Sequence, residues 1–140
     1  MPFPLTDEMK VASFNMTSTV KGAAISTFSE TYTYTGSKIK TAFSYKTLGI
    51  KIDDITKIFK LPTPDYIKID VDGIEHLILS GGEEVLKKTK EILIEINDEF
   101  KIQEKKSTEY LERAGLSLHN KYSQFNNQSE KIYNQIWKRK

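Results

Sequence analysis

A strand that runs into a glycine and then a helix is the feature that most constrains how this chain can fold. Between Tyr66 and Asp72 apolar and polar side chains alternate, which is the period of a β-strand with one face in the core. The apolar members are Ile67, Ile69 and Val71, and the polar members are Lys68, Asp70 and Asp72. Gly73 ends the strand, and residues 74–79 begin a helix. This unit predicts an α/β fold with polar groups gathered where the strand ends.

The neighbouring segments extend the same pattern. Asp53 or Asp54 stands where the N-cap of a helix would be, and that helix stops before Pro62. A helix is predicted again over 83–90. Residues 91–97 form a nearly continuous apolar strand, as expected of a strand that is covered on both faces.

The last third of the chain predicts one helix and two strands. The helix covers 101–114 and ends at Gly115. Strands over 116–122 and 131–137 are joined by a polar turn at 124–129, which predicts an antiparallel pair. From residue 64 the order is strand, helix, strand, helix, strand, strand, and such alternation favours parallel strands with right-handed crossovers.

Residues 1–47 carry a weaker pattern. They are rich in Thr, Ser and Tyr, which favours short strands or extended loops, one of them over 11–16. Gly22 and Gly36 are predicted turn positions.

The amino-acid composition excludes several classes of functional site. A chain of 140 residues fits one domain. It has no cysteine, which excludes disulfides, thiolate catalysis and cysteine-ligated zinc, and its 2 histidines exclude a histidine-rich metal site. The start has no apolar run of a secretory signal, and no segment has the length to span a membrane. We therefore expect a cytoplasmic protein without a membrane span.

Charge weighs against a nucleic-acid partner. The 21 Lys+Arg and 19 Asp+Glu leave a formal net charge of +2. The tyrosines and the basic end at 137–140 are compatible with stacking on a single strand. A buried Trp137 followed by a solvated basic tail is the favoured interpretation, so we expect no nucleic acid as partner.

Five ordered segments resemble one protein family. Residues 64–75, Pro-Asp-Tyr-Ile-Lys-Ile-Asp-Val-Asp-Gly-Ile-Glu, resemble the "lKiDvEGaE" signature of FkbM-family methyltransferases. Residues 52–55 are similar to the family's "tLDdl" element, 78–82 to "vLkGa" and 92–96 to "ilvEi". Residues 133–139 are similar to its closing strand.

The resemblance implies both a fold and an activity. The fold is the C-terminal portion of a Rossmann-like class I methyltransferase sheet, mainly parallel with a closing antiparallel strand pair. Residues 48–140 would be its recognisable core, and 1–47 a variable N-terminal segment of the same single domain. The implied activity uses S-adenosyl-L-methionine, with O-methylation of a sugar, glycan or small-metabolite hydroxyl.

Two family elements have no counterpart in the sequence, the glycine-rich cofactor turn and the acidic group that binds ribose. We therefore expect a partial domain, completed by a homodimer partner or by a missing N-terminal half. In the family sheet the strand at 66–72 pairs with the cofactor strand, so here it would be an open edge unless residues 1–47 cover it. The alternative function is a truncated, non-catalytic binding or scaffold module of the same fold.

Carboxylates at the ends of two strands are the candidate site. Asp70, Asp72 and Glu75 follow the first strand, and Glu95 and Asn97 end the next one. Parallel neighbours would bring them together. The resemblance places the first three near methyl transfer, where a carboxylate can accept a proton from a substrate hydroxyl. Glu95 and Asn97 are predicted to bind substrate.

Further roles and plainer alternatives belong to the same residues. His76 is a candidate general base, and Asp70 and Gly73 are candidate cofactor-binding residues. Alternatively, Lys68, Asp70 and Glu95 form a buried paired network, Glu75 is a first-turn helix acid and His76 is a packing residue. Carboxylates can also bind a divalent ion, but no dedicated metal ligands are predicted.

Overall fold

A computed structural model describes residues 3–123 and 131–139. Its strands are β1 (Lys10–Met16), β2 (Ser26–Phe28), β3 (Phe43–Gly49), β4 (Tyr66–Ile69), β5 (Glu91–Asn97), β6 (Leu116–Ser123) and β7 (Ile132–Arg139). Its helices are α1 (Ile52–Ile58), α2 (Glu75–Ser80), α3 (Glu83–Leu86) and α4 (Lys101–Arg113). None of these helices combines the length and the apolar character that a membrane crossing requires. The predicted turn at 124–129 lies outside the described residues.

A four-stranded sheet in the order β4-β5-β7-β6 organises the second part of the chain. β4 and β5 are parallel, whereas β7 is antiparallel to both of its neighbours. The closing antiparallel pair is therefore confirmed, but the prediction of a mainly parallel sheet is wrong. The physical reason is that β7 inserts between β5 and β6 and runs antiparallel to both, so two of the three pairings in the described sheet are antiparallel and only β4–β5 is parallel.

The core lies on one face of this sheet. Ile92, Ile94 and Ile96 of β5 are fully buried against α2 and α4, and each contributes roughly 1.5–3 kcal/mol relative to an exposed side chain. On the other face Leu93 and Glu95 are only half-buried. The predicted cover of β5 is therefore complete on one face and partial on the other.

β4 passes into α2 through a glycine turn, as the sequence predicts. The strand ends at Ile69, earlier than the predicted Asp72. Gly73 has a φ of 109°, which an L side chain rarely adopts, and a Cβ there would lie 2.7 Å from the Thr33 carbonyl oxygen. This close approach packs the turn directly against the loop between β2 and β3.

Asp53 has a different role from the one the sequence predicts. The N-cap of α1 is Lys51, and neither Asp53 nor Asp54 occupies that position. The buried Asp53 carboxylate instead accepts hydrogen bonds from the backbone N–H groups of Glu84 (3.0 Å) and Val85 (2.9 Å). It thereby satisfies free donors at the start of α3, which ends at Leu86, well short of the predicted Lys90.

The first part of the chain folds into a separate antiparallel sheet in the order β2-β1-β3. The predicted strand at 11–16 is confirmed, and Gly22 and Gly36 both have positive φ. β3 crosses the predicted boundary at residue 47, so that boundary does not separate structural units. Among the described residues β4 pairs only with β5, so the N-terminal segment does not extend its sheet.

Candidate functional site

A cavity of about 380 Å³ lies where β4 ends, between the core and the three-stranded sheet. Its polar lining consists of Ser26, Asp70 and Asp72. Its apolar walls include Phe14 and Phe28 from the sheet. The volume is within the range of small-ligand sites, and a few polar groups in apolar walls are typical of them.

The two aspartates of the cavity are held by different partners. Asp72 Oδ2 accepts a 2.8 Å hydrogen bond from the Ser26 backbone N–H, so the N-terminal sheet fixes this carboxylate. Asp70 Oδ2 lies 2.7 Å from Lys68 Nζ. The predicted Lys68 pairing is therefore present, but both side chains are exposed to solvent and the pair is not buried. An exposed pair of this kind stabilises the fold little.

Glu95 lies close enough to Asp70 and Asp72 to interact with them electrostatically. Burial raises the pKa of Glu95, and repulsion from Asp70 and Asp72 raises it further, while Lys68 opposes the shift. The parallel pairing of β4 with β5 produces this arrangement, since it places the ends of both strands at one edge. The structure thus brings together three of the predicted site residues.

Glu75 points into the interior instead of the cavity lining. It is fully buried, and its Oε2 accepts a hydrogen bond from Gln103 Nε2 of α4. Burial raises the pKa of Glu75 to about 8, although hydrogen bonds from Gln103 and from the Gly73 N–H act in the opposite direction. The carboxyl group is therefore mostly protonated at neutral pH.

Gln103 connects Glu75 to Asn97. Gln103 Oε1 accepts a 2.9 Å hydrogen bond from the Asn97 backbone N–H. The Asn97 side chain donates to the Tyr34 carbonyl oxygen at 3.1 Å and accepts from the Glu99 N–H at 2.9 Å. Both ends of its amide are thus bound to backbone, and its substrate-binding role stays a prediction.

His76 also lies away from the cavity lining. Its ring stands edge-to-face with Phe100, with 6.2 Å between centroids, and Nδ1 has no hydrogen-bond partner among the described residues. Burial lowers the pKa of His76, and the charge of Asp7 opposes this. These contacts agree with the packing alternative. Its role as general base stays a prediction.

Gly73 faces the backbone of Thr33, as described above, so its close approach serves the contact with the loop between β2 and β3. In the described part of the chain no group of three or more His, Cys, Asp or Glu side chains is arranged to hold a metal ion.

Two groups that hold predicted site residues in place carried no sequence signal. Gln103 is 1% exposed, yet it lies in a polar helix next to Ile102, which is 63% exposed. Ser26 acts through its backbone N–H, which any residue except proline supplies. Neither role follows from residue type.

The fold and the cavity define an α/β protein with carboxylates at the end of a strand that leads through a glycine into a helix. The chain belongs to the FkbM methyltransferase domain family, whose model matches residues 7–125. The family resemblance seen in the sequence is thereby confirmed, and with it a methyltransferase kind of function. The match includes the three-stranded sheet. Comparisons with curated proteins and with solved structures found no match.

Proposed function

We propose that this chain belongs to an S-adenosyl-L-methionine-dependent methyltransferase that O-methylates a hydroxyl of a sugar, glycan or small metabolite. The observation that carries the proposal is the cavity lined by Asp70 and Asp72 at the end of β4, in a member of the FkbM family. The order β4-β5-β7-β6, with its closing antiparallel pair, supports assignment as the C-terminal portion of a Rossmann-like sheet.

The described residues fit the reactive end of that cofactor. When bound, S-adenosyl-L-methionine supplies a methyl group on a positively charged sulfur. Asp70, Asp72 and Glu95 carry three acidic groups here, and Lys68 is the cation paired with one of them. An acidic surface attracts a cationic ligand. The cavity volume of about 380 Å³ leaves room for the reactive end of the cofactor beside the apolar walls.

In this proposal the carboxylates act on the acceptor hydroxyl. Asp72 is fixed through Oδ2 by Ser26, and a carboxylate held in one orientation can accept the hydroxyl proton as the oxygen attacks the methyl group. Asp70, which also lines the cavity, would bind the cofactor and share this role.

The cofactor site requires a second wall. The sequence has no glycine-rich turn, and β4 has a neighbour on one side only within the described residues. We propose that another segment or a second copy of the chain supplies this wall. The alternative function, a non-catalytic module of the same fold, predicts a stable chain that does not bind the cofactor.

Calorimetric titration of S-adenosyl-L-methionine into the purified chain tests the proposal. We expect micromolar binding that Asp70→Ala or Asp72→Ala abolishes. Asp65→Ala is the matched control, because this exposed aspartate lies next to the opposite end of the same strand and pairs with Lys90. Binding that survives both site substitutions would refute the assignment of the cavity. No binding by a folded chain at any protein concentration would exclude a second copy of the chain as the second wall, and would leave either a wall from another segment or the non-catalytic module.

A further inference from the structure

Three aromatic rings form a continuous strip on the three-stranded sheet. Phe14 of β1 lies opposite Tyr45 of β3, with 5.5 Å between ring centroids, and Tyr45 lies 6.0 Å from Phe43. Tyr45 and Phe43 are 45% and 48% exposed. We call Phe14, Tyr45 and Phe43 the aromatic strip.

The strip begins at the cavity. Phe14 lines the cavity together with Phe28, its direct partner on β2, and with Asp72. From Phe14 the strip leads along β1 and β3 to solvent-exposed Phe43. A ligand with a reacting group near Asp72 would therefore extend over these rings.

The sheet face that carries the aromatic strip is uncharged beside the rings, and this limits the kinds of ligand it can bind. Pairing in β1 and β3 puts Ala12, Met16 and Thr47 beside the strip, so the face carries no charged side chain between those positions. Phosphate-bearing partners are bound mainly through the positive charges of Lys and Arg side chains. Aromatic faces next to hydroxyl groups and carboxylates suit the C–H face and the hydroxyls of an uncharged sugar ring.

We propose that the aromatic strip binds the ring system of an uncharged glycan acceptor and directs one of its hydroxyls to Asp72. The inference rests on the proposed function for the identity of the reacting hydroxyl. Its location is independent of the cofactor, since the strip, the cavity and the uncharged face are all features of the described chain.

Titration of isotope-labelled chain with three neutral oligosaccharides, maltotetraose, mannotetraose and chitotetraose, followed by NMR, tests this inference without cofactor. We expect at least one sugar to shift ring and amide resonances of Phe14, Tyr45 and Phe43 in a saturable manner. Tyr45→Ala and Phe43→Ala should each weaken that binding by roughly fivefold, the loss expected for one stacking contact.

The same two strands supply matched controls on their opposite face. Val11 and Leu48 are directly paired, 68% and 37% exposed, and Val11→Ala and Leu48→Ala should leave sugar affinity within about twofold. Amide spectra of all four variants verify that each is folded. Failure of all three sugars to shift the strip, or equal affinity in Tyr45→Ala, overturns the inference. Sugar-free shifts of the strip that grow with protein concentration would also overturn it, because they identify a protein contact. A negative cofactor titration leaves this result unaffected.

Discussion

Replacement of Glu75 by glutamine should change how the stability of the protein depends on pH. Glu75 is fully buried, and its pKa rises from 4.5 to about 8 on folding because burial disfavours the charged form. Between these two values the folded state holds one proton more than the unfolded state. The free energy of unfolding therefore falls as pH rises through this window.

The size of the effect follows from the pKa change. A pKa that moves from 4.5 to about 8 corresponds to about 5 kcal/mol between the protonated and ionised forms. Between pH 6.5 and 8 alone, Glu75 should remove about 2 kcal/mol from the wild-type stability. This is a large share of the net stability of about 5–15 kcal/mol that a domain usually has.

Chemical denaturation of the wild type and of Glu75→Gln at several pH values between 6.5 and 8 measures this dependence. We expect the wild-type stability to fall and the variant to lose most of that slope. Its absolute stability will differ by a constant amount, because one oxygen that accepts from the Gly73 N–H or from Gln103 Nε2 becomes an NH2 group, which can only donate. Glu109→Gln, an exposed glutamate on the helix that carries Gln103, should keep the wild-type slope. Equal slopes in wild type and Glu75→Gln would refute the account of a protonated Glu75.

Two further predictions concern other buried polar groups. In a chemical denaturation experiment, Asp53→Ala should destabilise the chain by about 2–3 kcal/mol, because the N–H groups of Glu84 and Val85 lose a charged acceptor. Asp54→Ala, the neighbouring control, should cost less than about 0.5 kcal/mol in the same experiment. An equal loss in both variants would contradict the long-range cap. The His76 ring should titrate below 6.5 by NMR, because burial lowers its pKa. The unfolded chain then binds a proton at His76 more readily than the folded chain, so the free energy of unfolding should decrease as pH falls below 6.5. A titration midpoint above 6.5 would contradict this.

Much of the core could be predicted because its signals are local. β5 has the predicted bounds, and α4 ends one residue before the predicted end. The β4 and α2 boundary follows from Gly73, since a positive φ there requires glycine. These features depend on side-chain period and turn chemistry within a few residues, and the sequence contains both.

The missed features depend on contacts between distant segments. The face of α4 that enters the core carries Gln103, Ser107 and Leu111, and two of these three are polar, so hydrophobic period did not reveal it. The position of β7 between β5 and β6 follows from how the last two strands pair, which alternation of strands and helices does not specify. The aspartates were predictable as a group, but Ser26, which orients one of them, lies 46 residues away in sequence.

The contact between Asp53 and α3 has a consequence for the order of folding. α3 has four residues and no side-chain cap of its own, and isolated helices of this length do not persist in water. The N–H groups at its start gain the Asp53 carboxylate as their acceptor only after α1 has docked. We therefore expect α3 to form late in folding, even though its residues are contiguous in sequence. The amide hydrogens of Glu84 and Val85 should then exchange with solvent together, at a rate set by the undocking of α1 and not by fraying of α3 itself.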